Sequence, residues 1–300
     1  MADSSEFQQY ESSTYWVAPA RNFRTSARLH LQHLLFQNTL GYLLEPRVQG
    51  SISSSTQSEL KVADLGCGNG VWLSDLDEEL SRKGISASLD GYDVNPINFP
   101  APAHLPQSIT VKKLDVLARP LPQEITGVYD IVHVRAFTSI IVNADLDPLL
   151  STALALLKPG GWLQWEELRA DRYLVESPSP EISKSACETL VHIVQAGGKA
   201  RGATYEFLGE LDQHLKQYGF TDVHMQTTDT RKRDWKAWTE DYLMIWEELS
   251  VFFPPKAKQP QAPMTRESWI DLFAKAVQET EEGVAVHNGS AVTVVGRKAA

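Results

Sequence analysis

Gly66, Gly68 and Gly70 stand at alternate positions in Asp64-Leu65-Gly66-Cys67-Gly68-Asn69-Gly70, between the apolar run Leu60-Lys61-Val62-Ala63 and Val71-Trp72-Leu73. Glycines there tolerate positive φ and let backbone N–H groups approach a ligand closely. The helix expected to follow turns its positive end toward a carboxylate or phosphate. This is the layout of a nucleotide-cofactor loop. A dinucleotide fingerprint would carry its third small residue at position 71, where this chain has Val71. A second acid, Asp93, closes the stretch Ser88-Leu89-Asp90-Gly91-Tyr92-Asp93, the place from which a carboxylate can hold both hydroxyls of a ribose.

Such groups need a sheet to hold them, and the sequence supplies its strands in order. Ile109-Thr110-Val111-Lys112-Lys113-Leu114 alternates and runs into Asp115-Val116-Leu117. Val128-Tyr129-Asp130-Ile131-Val132-His133-Val134-Arg135 is a fourth apolar strand, and Leu156-Leu157-Lys158-Pro159-Gly160-Gly161-Trp162-Leu163 turns into a fifth. Over residues 58 to 165 these landmarks resemble the class I S-adenosylmethionine (SAM) dependent methyltransferases, whose first motif has the Asp64-to-Gly66 spacing seen here. Tyr218-Gly219-Phe220 and Ala291-Val292-Thr293-Val294-Val295 fit that superfamily's last two strands. Within it, His133-Val134-Arg135, Gly160-Gly161-Trp162-Leu163-Gln164-Trp165-Glu166-Glu167 and Asn22-Phe23-Arg24 are similar to fungal natural-product methyltransferases related to the regulator LaeA.

The resemblance implies an α/β, Rossmann-like fold, a seven-stranded, mostly parallel sheet with its last strand antiparallel and a helical cap. It implies SAM held by Asp64, Gly66, Gly68, Gly70, Asp93, Asp115 and Val116, with Asp115 beside the adenine amino group. The expected reaction is methyl transfer to a small natural product, most often to oxygen. Ligands of parallel sheets bind beyond the strand C-termini, so His133, Arg135, Glu166 and Glu167 are expected to face the methyl. His133 and Glu166 are competing general bases; the other reading makes His133 a hydrogen-bonded strand residue and Glu166 the partner of an arginine such as Arg135. Arg135 stands where catechol-type relatives place a metal-binding acid, so the chemistry is expected to need no metal. Two other classes fit the same residues: a SAM-binding regulatory scaffold of LaeA kind, and a methyltransferase-like fold running a pericyclic reaction.

Composition bounds the partners. The chain has 300 residues and a net charge of −10, with a pI near 5.3 and mean hydropathy of −0.26. Phosphate recognition needs a basic face, so nucleic acid is excluded as a substrate; the one basic cluster, Arg231-Lys232-Arg233, reads as a solvated helix start. The acidic start Met1-Ala2-Asp3-Ser4-Ser5-Glu6 and the short apolar runs predict neither a signal peptide nor a membrane span, and hence a cytoplasmic enzyme. Cys67 and Cys187 are too few for a disulfide framework, and Cys67 reads as a small space-filler. Asn288-Gly289-Ser290 matches a glycosylation sequon but reads as the polar turn before the last strand.

Around residues 58–170 the chain carries additions. Residues 1–50 hold an arm and a helix from Ser26 to Leu44, with Pro46 and Gly50 as its stop, and the serine-rich stretch 50–58 is a linker. His30 and His33 are neighbours on that helix and read as cap residues. Residues 171–300 complete the sheet and carry helices from Glu181 to Ala196, from Trp235 to Phe253 and from Arg266 to Thr280, with an inserted cap at about 230–285. Trp235, Trp238, Tyr242, Trp246 and Phe252 recur at helical spacing and read first as core packing; a lid closing on the acceptor would use the same residues.

Overall fold

The computed structural model describes residues 23–52 and 59–300; the expected arm over residues 1–20 and most of the serine-rich linker lie outside the described residues. Helices α1 (Phe23–Leu40) and α2 (Pro46–Ser51) precede β1 (Leu60–Leu65), α3 (Val71–Arg82), β2 (Ala87–Asp93), β3 (Ile109–Lys113), β4 (Tyr129–Arg135), α4 (Asp147–Leu156) and β5 (Leu157–Leu168). The chain continues through β6 (Leu174–Glu176), α5 (Ser185–Ala200), α6 (Leu211–Gln217), β7 (Phe220–Asp229), α7 (Trp235–Glu248), α8 (Arg266–Glu281), β8 (Ala285–His287) and β9 (Ser290–Lys298).

Seven strands form one sheet in the order β3-β2-β1-β4-β5-β9-β7. The first five in that order are parallel, and β9 runs antiparallel between β5 and β7. This is the expected Rossmann-like, mostly parallel sheet with an antiparallel last strand. Strand order reverses between β1 and β4, which opens a crevice over their C-terminal ends. Register then decides which side chains meet there. Asp64 lies opposite His133 across β1 and β4, and Arg135 lies opposite Glu166 across β4 and β5.

The apolar alternation of the strands is buried on both faces. One face packs Leu65, Val132, Val134 and Trp165 under α4 and α6; the other packs Val62, Leu89 and Ile131 under Trp72, Leu73 and Leu76 of α3. A third cluster joins α5, α7 and α8 to the two-stranded sheet of β6 and β8. Trp238, Tyr242 and Trp246 are buried, so most of the aromatic stripe is core, whereas Phe252 is exposed.

Three expectations are corrected. Pro46 does not stop the first helix: α1 ends at Leu40, where Gly41 takes φ +79°, and Pro46 instead opens α2, with Glu45 accepting from the N–H groups of Arg47 and Val48. The helix expected from Glu181 to Ala196 instead starts at Ser185 and runs through Gly197 and Gly198 to Ala200, its apolar face held against α8. The helix from Trp235 ends at Glu248, and Leu249–Phe252 tightens into a 3₁₀ turn.

Candidate active site

The loop between β1 and α3 needs its glycines. Gly66, Gly68 and Gly70 all have positive φ, at +74°, +57° and +71°. A Cβ on Gly66 would stand 2.8 Å from the Phe137 ring, and one on Gly68 would meet Leu29 at 3.0 Å. The loop is tied to the neighbouring strand end: Gly66 and Cys67 donate to the Tyr92 carbonyl, and Gly68 N–H donates to Asp93 Oδ2 at 3.0 Å. Asp93 Oδ1 accepts from Asn95 N–H, and its carbonyl accepts from Leu114 N–H, which draws the Asp115 turn to the same edge. Asp115 is exposed and Val116 is buried in the core.

These residues fit the methyl donor the sequence implies. The Asp93 carboxylate stands at the strand end beside the loop, the place from which ribose hydroxyls are held. Gly66 reaches the surface, leaving the loop backbone approachable, and α3 begins directly after the loop, presenting its positive end there. When bound, SAM supplies the electrophilic methyl. Cys67 is held for packing: burial pushes its thiol well above the usual range, and a Cβ on Gly91 would strike its Sγ at 2.8 Å.

Beneath the loop runs a chain of buried charges. His133 Nδ1 donates to Asp64 at 2.8 Å, and its Nε2 lies 3.4 Å from Glu166 Oε2. Arg135 places Nε and Nη2 each 2.7 Å from that same oxygen, while Glu166 Oε1 accepts from Gln164 Nε2. Arg135 Nη1 donates to His33 Nδ1, whose other nitrogen donates to Asp75, all within hydrogen-bond distance. Trp72 stacks on His133 at 3.6 Å with the planes 5° apart. Burial opposes the imidazolium, yet the Asp64 and Glu166 carboxylates outweigh it and hold His133 above its ordinary pKa. Burial likewise opposes charge on Glu166, and Arg135 with His133 overcomes it and keeps the carboxyl below its ordinary value. Burial and the adjacent Arg135 guanidinium lower His33, in keeping with a neutral ring that accepts from Arg135.

This arrangement has the form of the second reading of His133 and Glu166, a hydrogen-bonded strand histidine and a carboxylate paired with Arg135. His133 is 1% exposed and Glu166 0%, and the register that aligns the strand ends also turns both groups onto each other. Arg135 is spent on Glu166, and the hydrogen bond of Asp64 goes to His133. Sequence reasoning missed Trp72 and Gln164; a polar Gln164 between two tryptophans inside an apolar strand was the available signal.

Glu167 performs a separate task. Its oxygens accept from the N–H groups of Phe137 and Thr138, the Thr138 hydroxyl and the Trp165 indole, clamping the turn after β4 in which Ala136 takes φ +52°. Burial pushes its carboxyl up to about 7 despite those donors. Because the folded value exceeds the ordinary 4.5, this group favours folding most at low pH. Its contribution should fall, by up to about 3 kcal/mol, as pH rises through that interval. Urea unfolding at about pH 5 and about pH 7.5 should show a larger loss in wild type than in Glu167→Gln. Parallel losses in the two proteins would contradict it.

The first helix sits on the loop. Asn69 Nδ2 donates to the Ser26 carbonyl and approaches His30 Nδ1 at 2.8 Å. Along another side of α1, Arg28 and Gln32 meet Asp241 of α7, and Phe36 meets Trp238 edge-on. Asp241 is wholly buried, and burial raises its carboxyl to about 6. The basic cluster is paired locally, Arg231 with Asp234 and Lys232 over the Trp235 ring. Asn288 is buried between Tyr242 and Arg172. Among the described residues no three His, Cys, Asp or Glu side chains cluster to hold a metal ion, and no helix is long and apolar enough to cross a membrane.

Comparison with known proteins gives the family of the chain. Residues 29–225 match the model of a methyltransferase domain. The methyltransferase grgD of a Penicillium species is 32% identical over 57% of this chain and 58% of its own. The N-methyltransferase tcpN of Claviceps purpurea is 30% identical over 52% of this chain and 53% of its own. The chain thus spans little more than half the length of these relatives. A Haemonchus contortus phosphoethanolamine N-methyltransferase structure aligns over 94% of this chain and 61% of its own with a TM-score of 0.46 at 16% identity. With its domain match covering most of the chain and the glycine loop, Asp93 and sheet order in place, the chain belongs to the methyltransferase-domain family.

Proposed function

We propose that this protein transfers the methyl group of SAM to a heteroatom of a small natural product. The observation that carries the reading is the loop of three positive-φ glycines tethered through Gly68 N–H to Asp93 at the next strand end. Gly66, Gly68, Asp93 and Asp115 hold the donor in this reading, and α1 and α7 cover the site.

The buried charges bear on the acceptor atom. His133 and Glu166 are engaged with each other, Asp64 and Arg135, so neither is a free base. A neutral amine attacks with its lone pair and sheds its proton afterwards, whereas an alcohol needs the proton removed first. That difference, together with the printed role of the tcpN relative, favours nitrogen over the oxygen expected from sequence. Incubation with methyl-labelled SAM and a panel of amines, phenols and thiols tests it. Amines should carry the label, with a rate that follows the acceptor's own pKa. Labelled phenols with unlabelled amines would overturn the nitrogen reading. Binding of S-adenosylhomocysteine without label in any acceptor would overturn methyl transfer in favour of a scaffold or pericyclic role.

A further inference from the structure

A cavity of about 480 Å³ lies between α1, the first turn of α3 and the segment joining β2 to β3, and none of Gly66, Asp93, Asp115, Val116 or Phe137 lines it. It adjoins the cradle assigned to the methyl donor through Asn69 and Val71 without sharing those residues. Phe23, Ile97 and Phe99 give it apolar walls, and Phe23 and Ile97 are exposed at 78% and 61%. Large apolar side chains left so open beside a concavity mark a binding surface.

Its polar groups have one character. Asn98 lines the cavity, is 7% exposed, and its Nδ2 has no hydrogen-bond partner. A buried amide donor without an acceptor costs stability, a cost that a ligand oxygen reaching it from the cavity would relieve. His30 and His104 add imidazole rings; the Nδ1 of His30 is engaged by Ser26 and Asn69, which leaves its Nε2 for a ligand. No carboxylate lines this cavity, in a chain whose net charge is −10.

We infer that this cavity is a second binding site, for a small apolar molecule whose carbonyl or carboxylate oxygen is received by Asn98. An amine of the same shape would find no acceptor partner of opposite charge on these walls. The site's preference opposes that of the protein as a whole, because a net negative charge attracts cations.

Calorimetric titration of the full chain with phenylacetate and with phenethylammonium tests this. Phenylacetate should bind at least about tenfold more tightly, the discrimination expected from one charge-assisted hydrogen bond. Asn98→Leu should weaken phenylacetate about tenfold, leave S-adenosylhomocysteine affinity within about twofold, and melt no lower than wild type because it removes an unpaired donor. The exposed His104→Ala provides a second variant, expected to weaken phenylacetate by about threefold without loss of folding. Equal or tighter binding of phenethylammonium, or phenylacetate affinity unchanged in both variants, would overturn the inference. Loss of S-adenosylhomocysteine binding in the wild type would bear on the methyl-donor reading alone.

Discussion

Glu166→Ala should lower the stability of the folded protein by about 3–5 kcal/mol, because it leaves the His133 imidazolium and the Arg135 guanidinium buried without their shared carboxylate. In the intact chain Asp64, His133, Glu166 and Arg135 form a quartet whose charges cancel, closed above by Trp72 and below by Gln164. The pH dependence has a definite sign. Glu166 lies below its ordinary 4.5, so its contribution is present above that value and is lost as pH falls through the folded pKa. His133 lies above its ordinary 6.5, so its contribution is complete below that value and is lost as pH rises through the folded pKa. The difference between wild type and variant should therefore be greatest between about pH 4.5 and 6.5 and narrow on both sides. Denaturant titrations across that range measure it. A general base would behave otherwise, with stability intact and turnover lowered by roughly 10² to 10⁴ in Glu166→Gln.

Much of this site was legible before the fold. The glycine spacing located the loop, the acid ending a strand located Asp93, and the order of apolar runs gave the sheet, since each signal is local and repeats with the period of its element. What could not be read was register. His133 and Glu166 lie at the C-terminal ends of parallel strands, where ligands usually bind, but their pairing depends on which residue of β4 faces which residue of β5. Pro46 misled for a related reason: proline both ends and begins helices, and only the buried Glu45 cap distinguishes the two. The small sheet of β6 and β8 has only three residues in each strand, too short for an alternation to register.

The second large effect concerns Asp93. Its carboxylate has two tasks in this account, fixing the loop through Gly68 N–H and receiving the ribose hydroxyls of SAM. Asp93→Ala removes both ligand bonds and loosens the loop. The loss should reach about 2–4 kcal/mol of cofactor affinity, roughly 30- to 1,000-fold. Asp93→Asn, which keeps an acceptor oxygen, should fall between. Unfolding curves of the variants separate this effect from general destabilisation, since Asp93 stands at the edge of the core and makes no part of the quartet.

The central claim is that this glycine loop and Asp93 hold SAM, and calorimetric titration with S-adenosylhomocysteine tests it most directly. The account predicts saturable binding to the wild type and affinity at least about 30-fold weaker in a folded Asp93→Ala protein. Absence of binding to the wild type, or equal affinity in the two proteins, would contradict it.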